Sequence, residues 1–211
     1  MGLDMRLPTV FTSSAGLPVR TGWEDNFDRA DSTALGVTTI GRRPWTVLKA
    51  TTATDVVPRI LSKQLASAGA TGYVVASADA GTADVRIEAT ITVLDASSSL
   101  APNMRLAVRC VAAETPHFVS LRWTNTTGVL TLNSYVPGQT GVTVNSAAQG
   151  NLLGRRIALQ AVGDVFSGYL DGVQVIPDTT IPGLSGYTRH GIQANNSANA
   201  VRFDNMTVTP V

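Results

Sequence analysis

The sequence is poor in the residues that most often carry chemistry. It has one cysteine, Cys110, in 211 residues. A lone thiol closes no internal disulfide and starts no zinc ligand set, so Cys110 reads as a small buried apolar residue. The only histidines are His117 and His190, and both read as surface or strand-end residues. No Gly-x-Ser-x-Gly turn, phosphate-cradling glycine loop or dinucleotide fingerprint occurs. The only glutamates are Glu24, Glu88 and Glu114, each isolated in sequence. Glycoside hydrolysis needs two carboxyl groups facing each other, about 5–5.5 Å or 6.5–9.5 Å apart. Glu88 has Arg86 and Thr90 as its neighbours on one strand face and no second acid. The chain therefore reads as non-enzymatic.

Charge of one sign is also missing. The net charge is +1, and only Lys49 and Lys63 are lysines. The arginines are scattered and form no basic stripe, which excludes the electrostatic footprint of a nucleic-acid binder. No run approaches the ~18 apolar residues of a membrane span, so no membrane insertion is expected. The N-terminal residues have no basic segment leading into an apolar run, so synthesis in a cytoplasm without an export signal is expected. With 44% hydrophobic and 15% charged residues, the chain has the composition of a folded domain.

What is present is β-pattern. Val85, Ile87, Ala89, Ile91 and Val93 alternate with Arg86, Glu88, Thr90 and Thr92, a period of two that marks a strand with one buried face. Met104–Ala112 repeats this, with Leu106, Val108 and Cys110 facing in and Arg105 and Arg109 facing out. Residues 117–124, 129–136 and 156–162 follow the same rule. Asp171-Gly172 between apolar runs is a two-residue hairpin turn, because both positions favour positive φ. Val201 and Phe203 share one face while Met206 and Val208 share the other parity, which predicts a bulge near Asp204-Asn205. Residues 58–68 fit a short helix or a strand followed by a loop. Residues 1–22, with Pro8, Gly16, Pro18 and Gly22, show neither period and read as an N-terminal arm docked on its own domain or on a partner. The domain proper is 23–211.

Three stretches together resemble concanavalin A-like (laminin G-like) jelly-roll domains. They are Asp25-Asn26-Phe27-Asp28-Arg29-Ala30-Asp31-Ser32 with Leu35-Gly36; residues 159–175 with the Tyr169-Leu170-Asp171-Gly172 hairpin; and Gly191-Ile192 through Arg202–Val208. The resemblance covers residues 23–208. It implies an all-β antiparallel sandwich whose first and last strands lie side by side. Domains of this kind in small arginine-rich chains look similar to minor tail or decoration proteins of phages that infect actinobacteria. That implies a virion structural protein: a tail protein contacting host-surface glycans, or a capsid decoration protein. Its partners would be other virion proteins, held through residues 1–22, and copies of itself in a homo-oligomer. A bacterial carbohydrate-binding module or lectin is the alternative.

Sugar sites usually offer an exposed aromatic ring beside amides and acids. Aromatics make up only 6% of the chain. Tyr135, beside Asn133 at a strand end, and Tyr187, in a loop, are the ring candidates; Trp123 is a third, although it shares a face with Val119 and Leu121. No cofactor is expected. Calcium, which takes six to eight oxygens, would need Asp25 or Asp28 to meet Asp204 where, as the resemblance implies, the two ends of the domain adjoin.

Overall fold

The computed structural model describes residues 22–49, 58–66, 74–94, 103–113, 116–124, 128–139, 141–195 and 201–211. Of the expected arm only Gly22 falls among them. In chain order the strands are β1 (Trp23–Asp25), β2 (Thr46–Lys49), β3 (Arg59–Leu61), β4 (Gln64–Ala66), β5 (Val74–Asp79), β6 (Val85–Leu94), β7 (Asn103–Val111) and β8 (His117–Thr124). They continue with β9 (Val129–Tyr135), β10 (Val142–Ala148), β11 (Arg156–Val162), β12 (Val165–Leu170), β13 (Val173–Thr180), β14 (Arg189–Asn195) and β15 (Val201–Pro210). No described residue is helical, and none belongs to a helix long and apolar enough to cross a membrane.

Two antiparallel sheets form the sandwich, a concanavalin A-like jelly roll. The eight-stranded sheet runs β13-β12-β11-β6-β15-β4-β3, with β1 also on β15; the seven-stranded sheet runs β10-β9-β8-β7-β14-β5-β2. The first and last strands pair as the resemblance implied, Trp23 opposite Val208 and Asp25 opposite Met206. Ile87, Ala89, Ile91, Ile157, Leu159, Phe166 and Phe203 from one sheet bury against Leu106, Val108, Val119, Leu121, Trp123 and Leu132 from the other. Fully burying each of the larger of these aliphatic and phenyl side chains is worth roughly 1.5–3 kcal/mol, which makes this layer the main stabilising element.

The turns follow the local chemistry. Asp171 and Gly172 both take positive φ, 47° and 83°, and close the β12–β13 hairpin as expected. The register of β15 on β6 shifts between Asp204 and Thr207, so the predicted bulge is present. Residues 59–66 form a hairpin, β3–β4, whose turn is Ser62-Lys63, again both at positive φ. Serine and lysine rarely adopt that conformation, so the sequence carries no turn signal here.

One strand departs from the simple alternation. Between Val108 and Val111 the register of β7 on β8 shifts, and Arg109 sits at φ 55°. The extra residue of this bulge reverses the expected faces. Cys110 turns outward and packs with Val75, Ala107, Phe118 and Tyr135 in a second, smaller cluster. Arg109 turns inward and is fully buried, stacked 5.1 Å from the Phe166 ring centroid and 2.9 Å from Asp84 Oδ1. It thereby ties β7 of one sheet to the β5–β6 loop beside the other sheet.

His190 is also corrected: it is completely buried, not at the surface. Its Nδ1 accepts the Arg109 backbone N–H at 3.2 Å, so the Nε2 that faces Thr82 O at 2.9 Å is the donor. Burial pushes its pKa down to about 4.

Candidate functional site

An open polar cleft lies where β1 joins β15. The loop after β1 returns beside it, with Ile40 N–H and C=O bonded to Glu24. The resulting hollow of about 200 Å³ is lined by Glu24, Asn26, Thr39, Ile40, Arg156, Asn205 and Thr207, with Asp25 and Met206 behind them. Glu24, Asn26, Thr39, Ile40 and Asn205 are exposed. A wider hollow of about 500 Å³ shares Asn26 and Thr39 with it and continues past Asp28, Ser32 and Arg42.

A local clamp makes the cleft rigid. Asp25 is fully buried and receives Arg29 in a two-point pair, Nη1 to Oδ1 at 2.7 Å and Nη2 to Oδ2 at 2.9 Å. Phe27 N–H (3.0 Å), Thr39 Oγ1 (3.2 Å) and Trp45 Nε1 (2.8 Å) also donate to this carboxylate. Arg29 reaches on to Leu35 O at 2.8 Å and lies over the Phe27 ring. Two-point arginine–carboxylate bonds combine strength with orientation. Asp25-x-Phe27-x-Arg29, the start of the stretch that carried the sequence resemblance, is thus a folding device: Phe27 takes φ 52° so that the chain can curl back on Asp25.

Beside the clamp, Arg156 forms the other wall. Its Nε bonds Glu88 Oε2 at 2.7 Å, its Nη1 Asn205 O at 3.2 Å, and its Nη2 Thr207 Oγ1 at 3.0 Å. Glu88 also takes Arg86 Nε at 2.5 Å. Partial burial raises the Glu88 pKa, but the two arginines outweigh it and hold the carboxyl below its ordinary value. Glu88 is therefore a charged structural acceptor, unsuited to donating a proton.

The calcium expectation meets this geometry directly. Arg29 already occupies the cation position on Asp25, and Asp28 pairs with Lys63 Nζ at 2.7 Å. Burial, and then the neighbouring Asp28 and Asp25, raise the Asp204 pKa. Among the described residues no group of three or more His, Cys, Asp or Glu is arranged to hold a metal ion.

The expected sugar residues are not brought together. Trp123 is buried in the main core. Tyr135 is buried too, stacked on Phe118 with ring centroids 4.4 Å apart and its hydroxyl bonded by Arg105 Nη1. Asn133 is buried beside it and donates to Thr143 Oγ1 at 2.9 Å. Tyr187 is exposed, on the loop before β14. The strand-end position of Tyr135 predicted exposure; the outer face of its sheet turns out to be shielded. The sequence reading missed Arg156, Asn205, Thr39 and Asn26. Their only early signal was the adjacency of first and last strands.

No family model and no curated protein sequence matches the chain. Solved structures do match its fold. The carbohydrate-binding module CBM66 from Bacillus subtilis aligns over 78% of this chain and 94% of its own, with 20% identity and TM-score 0.55. Domain 4 of AbnA, an extracellular arabinanase from Geobacillus stearothermophilus solved with arabinotriose, covers 89% and 92%, with 12% identity and TM-score 0.52. The exoplasmic/lumenal domain of VIP36, in its Ca2+/Man2-bound form, covers 91% and 88%, with 8% identity and TM-score 0.58.

Proposed function

We propose that this chain is a non-catalytic carbohydrate-binding sandwich whose sugar site is the β1–β15 cleft. One observation carries the reading: exposed amide, hydroxyl and carboxylate groups and the half-buried Arg156 guanidinium converge on an open hollow of about 200 Å³ that is held by strand pairing and the Asp25–Arg29 clamp. That volume is below the ~300–1,000 Å³ of pockets for drug-sized ligands and suits one small polar unit at a time. Exposed Ile40 gives the apolar face of a sugar ring something to lie on, in place of an aromatic ring. The adjoining hollow past Asp28 and Arg42 gives a second unit of the same chain a place to continue. The fold-level likeness to CBM66, to AbnA domain 4 and to VIP36 supports the same class of ligand.

The virion setting rests on the sequence resemblance alone. It is compatible with this reading, since a tail protein that touches host-surface glycans needs such a site.

Isothermal titration against a panel of neutral oligosaccharides, including arabinose- and mannose-based ones, tests the reading. At least one should bind, and Asn26→Ala with Arg156→Lys should weaken it at least tenfold. A panel with no binder, or a double variant that binds equally well, overturns it.

A further inference from the structure

The hollow between β1 and β15 is lined by charged groups of both signs, and their pairing is uneven. Asp25 is neutralised by Arg29 and takes three further donors. Arg156 is matched by Glu88 at 2.7 Å and also bonds Asn205 O and Thr207 Oγ1. Glu24 is different. Its backbone is fixed from both sides, opposite Thr207 on β15 and bonded through N–H and C=O to Ile40. Its side chain lines the hollow, is exposed, and has no ion pair or hydrogen-bond partner among the described residues.

The other nearby cations are spent or distant. Lys63 pairs with Asp28. Arg42 lines only the adjoining hollow. Arg86, the second cation on Glu88, lies over the Tyr169 ring on β12. β12 is three strands from β15, which is about 14 Å at ordinary strand spacing. Charges that far apart at a surface are largely screened, since the Debye length at physiological salt is about 8 Å.

A second carboxyl reports the sign of the field at this edge. Asp204 stands in the β15 bulge beside Asn205. Burial raises its pKa, and the neighbouring Asp28 and Asp25 raise it further. Only the Asn205 N–H, 2.7 Å from Oδ1, acts the other way; no arginine or lysine does. A carboxylate brought in by a ligand meets the same opposition, and a cation meets the reverse.

We propose that the cleft selects sugars by charge: Glu24 receives the ammonium group of an amino sugar, and the carboxylate of a uronic acid is turned away. The proposal rests on the β1–β15 cleft being the sugar site. An amino sugar differs from its neutral parent by one hydroxyl replaced with –NH3+, a group that only donates and so suits an acceptor without a partner. The remaining hydroxyls face the Asn26 and Asn205 amides and Arg156. Exposed ion pairs are weak, so the selection is a few-fold preference and neutral sugars still enter.

The full-length protein, isotope-labelled for NMR, is titrated with glucose, mannose and galactose, with glucosamine, mannosamine and galactosamine, and with glucuronate and galacturonate. At about pH 6 the amines are protonated and glutamate is ionised. The Asn26 and Asn205 side-chain amides are the reporters. At least one amino sugar binds about threefold or more tightly than its parent, and the uronates bind about threefold or more weakly than theirs. The preference shrinks as salt is raised. Glu24→Gln, whose fold is read from the same spectrum, brings the ratio of amine to parent to about one. Equal binding of amine and parent, or a preference that survives Glu24→Gln, overturns the proposal and leaves the cleft reading standing. A folded Glu24→Gln protein that binds neither sugar overturns it as well, because the carboxylate would then anchor every sugar. Sugars that move neither amide overturn the cleft reading and the proposal with it.

Discussion

The outer face of the eight-stranded sheet and that of the seven-stranded sheet are built from similar strands but live in different surroundings. On the first, Arg86, Glu88, Arg156 and Thr207 form a half-exposed ladder of ion pairs, and Arg86 lies 4.1 Å over the Tyr169 ring. Those groups bond one another. On the second, the same strand positions hold small residues, a stacked Phe118–Tyr135 pair and buried amides. Alternation sets which residues point outward; whether outward means wet depends on what else packs there. Substitutions on the buried face should therefore behave as core substitutions, and those on the ladder as surface ones.

The largest effect belongs to Gly191, in the middle of the buried face. A Cβ there would sit 2.1 Å from Ala76 O and 2.8 Å from Ser77 Cα, which are backbone atoms that cannot yield. Gly191→Val should leave no soluble protein with a cooperative thermal transition. Next, Phe118→Ala should lower unfolding free energy by about 3–5 kcal/mol in urea titrations, the range for a buried aromatic ring. Tyr169→Ala on the ladder should lose about 1 kcal/mol or less. Equal losses at the two positions would erase the distinction between the faces.

Acid probes the boundary between the sheets. Burial keeps His190 neutral down to about pH 4, with Arg109 also opposing its protonation and Asp79 favouring it. In the unfolded chain it titrates near pH 6.5. Between those values the unfolded chain binds the extra proton, so its contribution to stability is complete above about pH 6.5. It is lost as pH falls to about 4, by on the order of 3 kcal/mol in total. His190→Gln should flatten that part of the pH profile. The smallest effect is expected for Glu88→Gln, under about 1 kcal/mol, because its pairs with Arg86 and Arg156 are partly solvated.

Much of the architecture was legible. The period of two in β6 and β8, the Asp171-Gly172 turn and the parity switch in β15 are local, and local rules read them. The faces of β7 were misread because a bulge at Arg109 leaves no mark on the hydrophobic pattern. Ser62-Lys63 hid a hairpin because its positive φ values are imposed by strands on either side. The cleft was illegible for a different reason. Asn26, Thr39, Arg156 and Asn205 come from four distant stretches, and only the pairing of β1 with β15 brings them together. Tyr135 and Asn133 stand at a strand end, which is normally wet, so their burial has no local sign in the sequence.

Hydroxyl-radical footprinting of the full-length protein tests the buried face most directly. Phe118, Tyr135 and Cys110 should be modified as slowly as the core residue Phe203, while Tyr187 reacts at the rate of an exposed ring. Modification of Phe118 and Tyr135 at the rate of Tyr187 would contradict the account, because the outer face of the seven-stranded sheet would then be open to water.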